Sequence, residues 1–285
     1  MAKVSPRTLS GFMELLPEQQ VKMERMMEAL RRGYSLYGFT PLDTPIIESA
    51  QVLLAKGGGE TEKQIYRFTK GDSDLALRFD LTVPLAKYVA AHYSELSFPF
   101  RRYQIGKVYR GERAQRGRFR EFYQADIDVI GDGKLDIINE AEIPAVIYST
   151  FKSLGLSRFK IKVNNRKILN GFYAMNGMSE KAGDIMRTVD KLDKIGPEKV
   201  KALLIDEVKM LPCKAENVLD FMAIKGTNAQ VIKRLTMYRG MDETFDAGLE
   251  ELIAQLRAAA NVDEAPLVRY VFDVFVPAGA WEGGV

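Results

Sequence analysis

Apolar residues at Val21, Met23, Met26, Met27, Leu30, Tyr34 and Leu36 keep a helical spacing over residues 17–37. This predicts an amphipathic helix opened by Pro17 and stopped by Gly38, with its methionine stripe in the core. Residues 5–16 ahead of it form a polar-to-apolar lead with a turn around Gly11. In the following GFTPLDTPIIES, Pro41 and Pro45 push their predecessors out of helical space, so the segment is extended. Residues 65–68 and 75–79 read as strands on either side of a turn at GDSD, and Pro84 opens a helix after them. Between residues 100 and 131, two runs of alternating character, 103–109 and 119–130, flank a loop at 111–117 and predict an antiparallel hairpin. A long helix over 135–154 follows, carried by Ile137, Ile138, Ala141, Ile143, Ala145, Val146, Ile147 and Phe151, and then a strand at 159–163. Beyond Phe172 the composition shifts to consecutive helices over 180–192, 197–208, 214–222, 229–235 and 245–260, and residues 267–276 return to a strand pattern.

Composition narrows the classes open to such a chain. At 285 residues and 46% hydrophobic content there is material for one large domain, or for one domain with an insertion. A net charge of +3 allows a nucleic-acid partner without arguing for one. The single cysteine, Cys213, excludes an internal disulfide and suits a reducing compartment. The single histidine, His92, removes histidine-based metal clusters and the usual catalytic triads, so no metal ligands are assigned. The first residues lack the apolar core of a signal peptide, and no stretch reaches the roughly 18 apolar residues of a membrane helix. A soluble, cytoplasmic protein with no membrane partner is expected.

Candidate chemistry concentrates in the predicted hairpin. Its loop carries Arg113 and Arg116, with Arg110 and Arg118 where the loop meets the strands. Four guanidiniums in one small volume repel each other unless an anion lies between them, and their planar forks suit phosphate oxygens. That favours a polyphosphate ligand, while a solvated basic tip, or one binding nucleic acid without specificity, has the same composition. In the second strand, alternation puts Gln124, Asp126 and Asp128 on one face. Three polar residues in a row, flanked by aromatics, suit a small polar ligand better than a packed core, because buried polar groups need partners. Asp80 and Thr82 precede the Pro84 helix, where N-capping alone would account for them. The glycine loop KGGGE at 56–60 lacks the Lys-Ser/Thr of a P-loop and reads as a mobile loop over a substrate.

The order Arg110-Gly111-Glu112, a short loop, Arg118 and then Phe122 resembles motif 2 of the class II aminoacyl-tRNA synthetases, and the continuation FYQADIDVIG resembles the histidyl-tRNA synthetase family specifically. LRFDLTVPLAKY resembles that family's histidine-binding segment, and the helix followed by a proline-containing strand resembles motif 1, which builds the family's dimer interface. The resemblance implies an α+β fold, an antiparallel sheet flanked by helices. Residues 1–172 would form the catalytic core, 173–262 a helical insertion and 263–285 a returning, incomplete strand of the core. It implies a ligase that activates L-histidine with ATP and Mg2+ and transfers it to tRNA(His), working as a homodimer. Arg110, also the catalytic arginine, would grip the α-phosphate, Glu112 would lie near the adenine, Arg118 would reach the terminal phosphates and Phe122 would stack on the base. Histidine would be held by Asp80, Leu81, Thr82 and Gln124, with Asp128 on the imidazole. Asp126 has no role in the family pattern; pairing with a neighbouring arginine is one reading of it. VDKLDKIG and IKGTNAQVIKRL resemble the family's insertion, where Lys191, Lys194, Lys225, Lys233, Arg234 and Arg239 would touch the tRNA acceptor arm or else serve as a solvated surface.

The resemblance breaks at the end of the chain. Where the family's second histidine-specific motif would begin with Arg-Gly-Leu-Asp-Tyr-Tyr, the chain reads PAGAWEGGV from Pro277. A shortened form lacking motif 3 and the anticodon-binding domain is therefore expected. A rival reading is a non-catalytic paralogue that senses histidine and regulates its biosynthesis; the intact LRFDLT and FYQADID segments favour the enzyme.

Overall fold

A computed structural model describes residues 5–55, 60–115, 117–260 and 271–272. Most of the glycine loop (56–59), Arg116, most of the predicted 267–276 strand and the 277–285 ending lie outside the described residues. The chain divides into two compact units: Met1–Leu135 with Ser149–Gly155, and Asp136–Tyr148 with Leu156–Val285.

The first unit opens with helix α1 (Pro17–Leu36), started by a proline in its first turn; Leu16 donates its backbone N–H to Gln19 Oε1 at 3.1 Å. The chain leaves the helix through Gly38 at φ +75°, a left-handed turn that favours glycine. Of the apolar stripe only Met27 and Tyr34 are buried, while Val21, Met26 and Leu36 stand exposed, so the stripe is only partly core. Then come β1 (Thr40–Pro41), β2 (Ile47–Ser49), α2 (Ala50–Leu54), α3 (Glu60–Gln64), β3 (Arg67–Lys70), β4 (Ser73–Leu77), α4 (Thr82–Ala91), β5 (Phe100–Tyr109) and β6 (Glu121–Ile130). The described strands of this unit form two sheets of three, β1-β5-β6 and β2-β4-β3. β5 and β6 make the expected antiparallel hairpin, longer at its start than the alternation predicts, and β1 joins β5 in parallel with Thr40 opposite Arg102.

The hairpin of β3 and β4 turns at Gly71 and Asp72 and pairs Lys70 directly with Ser73. It is therefore tighter than the four-residue turn predicted, and both strands lie two residues from their expected start. Ser73 and Asp74 are polar yet belong to the ladder, where Arg67 Nε donates to Asp74 Oδ1 across the strands at 2.8 Å. Tyr34 of α1 meets Tyr103 of β5 with ring centroids 5.6 Å apart, and Phe39, Leu81, Leu85 and Val108 are also buried in this unit.

Helix α5 (Ile138–Ser153) has residues in both units. The second unit contains β7 (Lys162–Val163), paired in parallel with β8 (Val271–Phe272). Its described helices are α6 (Arg166–Met175), α7 (Ala182–Val189), α8 (Leu192–Ile195), α9 (Pro197–Asp206), α10 (Pro212–Met222), α11 (Asn228–Thr236) and α12 (Glu243–Ala260). Helix α6 is absent from the sequence reading, which ends the core domain at 172. Its apolar face, Ile168, Leu169 and Phe172, is part of the second unit's core with Phe221, Phe245 and Leu249, and the Phe172 and Phe221 rings stack 4.0 Å apart. Gly171 allows α6 to reach the backbone of α12, since a Cβ there would lie 2.4 Å from the Phe245 nitrogen. Thr227 caps α11 reciprocally with Gln230.

Candidate active site

The site is built on one face of the β5–β6 ladder, inside the first unit. Directly opposed residues of an antiparallel pair share a face, and the register sets Val108 against Phe122, Gly106 against Gln124, Gln104 against Asp126 and Arg102 against Asp128. Phe122, Gln124, Asp126 and Asp128 thus line one side of β6, as the alternation predicts, all of them half-buried. Their four partners on β5 are buried.

The segment between β4 and α4 runs over this face because position 106 is a glycine. A Cβ there would lie 2.4 Å from Arg78 Nη2 and 3.6 Å from Leu81 Cδ2. Arg78 is 2% exposed and is held by Nε donating to the Lys107 carbonyl at 2.8 Å and Nη1 donating to the Thr44 carbonyl at 2.6 Å. Asp80 caps α4: its Oδ1 accepts from the Thr82 and Val83 amides at 3.0 and 2.9 Å. Thr82 is exposed at the first turn, and the buried Leu81 turns its carbonyl toward Arg102 Nη2 at 3.2 Å.

At the loop end, the Arg110 guanidinium lies between two rings, 4.6 Å from the Phe79 centroid and 5.1 Å from that of Phe122. Its Nε donates to the Phe79 carbonyl at 3.3 Å, and Nη2 reaches Gln124 Oε1 at 3.5 Å. Arg110 therefore joins the aromatic part of the face to its polar part. Arg118 pairs with Glu112 at 3.4 Å, and Arg113 is exposed. Instead of four arginines converging, the described loop holds one arginine against the strand face and another on a carboxylate. Gly111 donates to the Gln64 carbonyl at 2.6 Å, and a Cβ at this position would lie 2.9 Å from that oxygen, so the loop base needs a glycine.

The polar half of the face is an electrostatic cluster. Gln124 Nε2 donates to both oxygens of Asp126, at 3.0 and 2.8 Å, which fixes its amide with the carbonyl toward Arg110. Asp126 thus partners a glutamine, and the arginine in ion contact on this face, Arg102, meets Asp128 at 2.9 Å. Burial pushes the Asp126 carboxyl above its ordinary range against the opposing pull of the Gln124 hydrogen bond and Arg102, with Asp128 and Asp80 adding repulsion. Burial likewise raises Asp128, partly offset by Arg102, and lowers Arg102 despite both carboxylates. Among the described residues no three His, Cys, Asp or Glu side chains form a metal cage.

The sequence alone gives Arg102, Arg78 and Phe79 no role. The alternation in 103–109 sets apolar residues against polar ones, whereas the face of β5 that carries positions 102, 104, 106 and 108 is buried throughout. Arg102 and Gln104 are 0% and 1% exposed, and Gln104 is satisfied by Asp43 and Thr44 at 2.9 and 3.1 Å. Gln104, in step with Gly106 inside the 103–109 run and with Arg102 just ahead of it, was the available signal.

Comparison with known proteins gives this geometry its relatives. Residues 11–279 match the family model described as histidyl-tRNA synthetase. A histidine--tRNA ligase of Clostridium tetani is 54% identical over 249 residues, covering 87% of this chain and 56% of the relative. The crystal structure of histidyl-tRNA synthetase from Nostoc sp. PCC 7120 superposes with a TM-score of 0.84 at 37% identity, covering 95% of this chain and 62% of that one. A Bacillus halodurans structure described as an ATP phosphoribosyltransferase regulatory subunit/histidyl-tRNA synthetase shares the fold with a TM-score of 0.77 at 22% identity, over 96% of this chain and 69% of that one. The chain thus spans less than two thirds of the length of the Clostridium and Nostoc proteins.

Proposed function

The chain belongs to the histidyl-tRNA synthetase family, with the family's class II α+β fold, and on that premise we propose that it activates L-histidine with ATP and transfers it to tRNA(His). The observation that carries the reading is the position of Arg110, which touches both the Phe122 ring and Gln124. A nucleotide stacked on Phe122 and an amino acid held at Gln124 would meet at this guanidinium, where the α-phosphate and the histidine carboxylate must come together. In the proposed reaction a carboxylate oxygen attacks the α-phosphorus, the bond to the β-phosphate breaks and pyrophosphate leaves. The ribose hydroxyl of the tRNA terminus then attacks the acyl carbon and AMP departs. Neither step needs a strong general acid or base; positioning and charge neutralisation lower the barrier.

Within this proposal Arg110 neutralises the α-phosphate, Arg118 reaches the terminal phosphates and Glu112 lies near the adenine. Asp80, Leu81, Thr82 and Gln124 hold the amino acid backbone, and Asp128 accepts an imidazole N–H. Mg2+ would enter with the polyphosphate, since this ion is commonly held by substrate phosphates and one or two carboxylates. Residues 1–172 are assigned to the catalytic core, 173–262 to the helical insertion and 263–285 to the returning strand. The exposed apolar residues of α1 suit a homodimer contact, and the proposed setting is the cytoplasm. No helix among the described residues is long and apolar enough to cross a membrane.

Calorimetric titration tests the reading. Histidine is expected to bind at one site per chain and ATP at another, each tightening the other. Binding of ATP with no response to histidine would overturn it.

A further inference from the structure

Arg102 is fully buried, and its Nε and Nη1 have no hydrogen-bond partner among the described residues. A buried guanidinium is expensive, and replacing a buried ion pair by packed apolar residues is often neutral or stabilising, so stability is a poor reason for an arginine here. The ladder sets it directly opposite Asp128, and its Nη2 also donates to the Leu81 carbonyl, which anchors the guanidinium to the segment crossing the face. The 2.9 Å contact with Asp128 is an ion pair without hydrogen-bond alignment: Asp128 Oδ2 is itself buried and lacks a hydrogen-bond partner. A fixed cation therefore stands against the buried oxygen of a carboxylate that is otherwise 29% exposed, next to a Gln124 amide already oriented by Asp126. Pinned by one oxygen, the carboxylate offers its exposed side to a ligand N–H, and a bound ligand lacking that donor would cover that oxygen without pairing it.

We propose that Arg102 is the positioning residue of the amino-acid pocket: it aims the Asp128 carboxylate, and so sets the selectivity for a ring N–H over the same ring carrying a methyl group. This rests on the reading of the site as a histidine site. Arg102 acts through Asp128 and need not touch the ligand.

The test measures, on the full chain, the affinities of L-histidine and of its two ring-N-methylated isomers, together with the affinity for ATP and the melting temperature without ligand. The wild-type chain should prefer histidine over the less favoured isomer by about 100-fold or more, since sites built around a substrate N–H reject analogues lacking it strongly. Arg102→Lys keeps the charge but not the planar fork. It should cut that preference at least about tenfold while ATP affinity and melting temperature stay near wild type. Because loss of one partner from a buried pair can unfold a protein, the double variant Arg102→Met/Asp128→Leu serves as the second arm; with the pair replaced by apolar residues it should fold and bind histidine and both isomers alike. An undiminished preference in folded Arg102→Lys, or in the double variant, would overturn the proposal while leaving the histidine site standing. A wild-type chain that binds ATP but not histidine would remove the histidine site itself and the proposal with it.

Discussion

Gly106→Ala puts a methyl group 2.4 Å from Arg78 Nη2, and the cost depends on what yields. The clashing atom ends a flexible side chain, which would normally swing away at little cost. Here the guanidinium is 2% exposed and tied by Nη1 to the Thr44 carbonyl and by Nε to the Lys107 carbonyl. Moving it breaks at least one hydrogen bond to a charged group, worth about 1.5–3 kcal/mol. Keeping it forces the ladder apart, an overpacking cost of about 1–3 kcal/mol. The protein takes the cheaper route, about 2 kcal/mol, and because alanine is otherwise better than glycine in a strand by about 0.5–1 kcal/mol the net loss should be about 1 kcal/mol. Urea unfolding followed by far-ultraviolet circular dichroism measures it, in the wild-type and Arg78→Met backgrounds. In the second background the clashing atom is gone and the same substitution should be neutral or stabilising. Equal effects of Gly106→Ala in the two backgrounds, or no loss in the first, would refute the packing of Arg78 over this glycine.

Asp126→Asn removes a carboxyl whose folded value lies above its ordinary 3.8 chiefly because of burial. Such a group favours the fold fully below its unfolded value and loses that contribution as pH rises through the folded one. The variant's melting temperature relative to wild type should therefore climb as pH rises from 3.5; a relative decline would contradict the assignment. In the second unit, Gly171→Ala would drive a Cβ into the Phe245 backbone of α12 and should cost at least about 2 kcal/mol by urea unfolding. Gly183→Ala in α7 meets nothing within 4 Å and should instead stabilise by about 0.5–1 kcal/mol.

How far the sequence carries depends on what each signal measures. Helical spacing located α1 almost to the residue, because a proline and a glycine bound it, yet spacing cannot tell an inward stripe from one left for a partner, and Val21, Met26 and Leu36 are exposed. The hairpin and its polar face on β6 were legible because alternation is a property of the strand itself. The burial of Arg102 and Gln104 was not, because it depends on neighbours far away in the chain: β1 on one side, β6 on the other, and the 78–82 segment above. Motif order likewise picked out Arg110, Glu112, Arg118 and Phe122 but not their pairing, with Arg110 drawn to the rings and Arg118 to Glu112. The boundary read at 172 followed a change in composition, whereas the apolar face of α6 packs with the helices after it.

The central claim, that Arg110 joins a nucleotide site to an amino-acid site, is tested most directly by histidine-dependent exchange of labelled pyrophosphate into ATP on this chain. Exchange that needs histidine, and that falls at least about 100-fold in Arg110→Ala with the fold intact, is the predicted result. Exchange that persists in Arg110→Ala, or that proceeds equally without histidine, would contradict it.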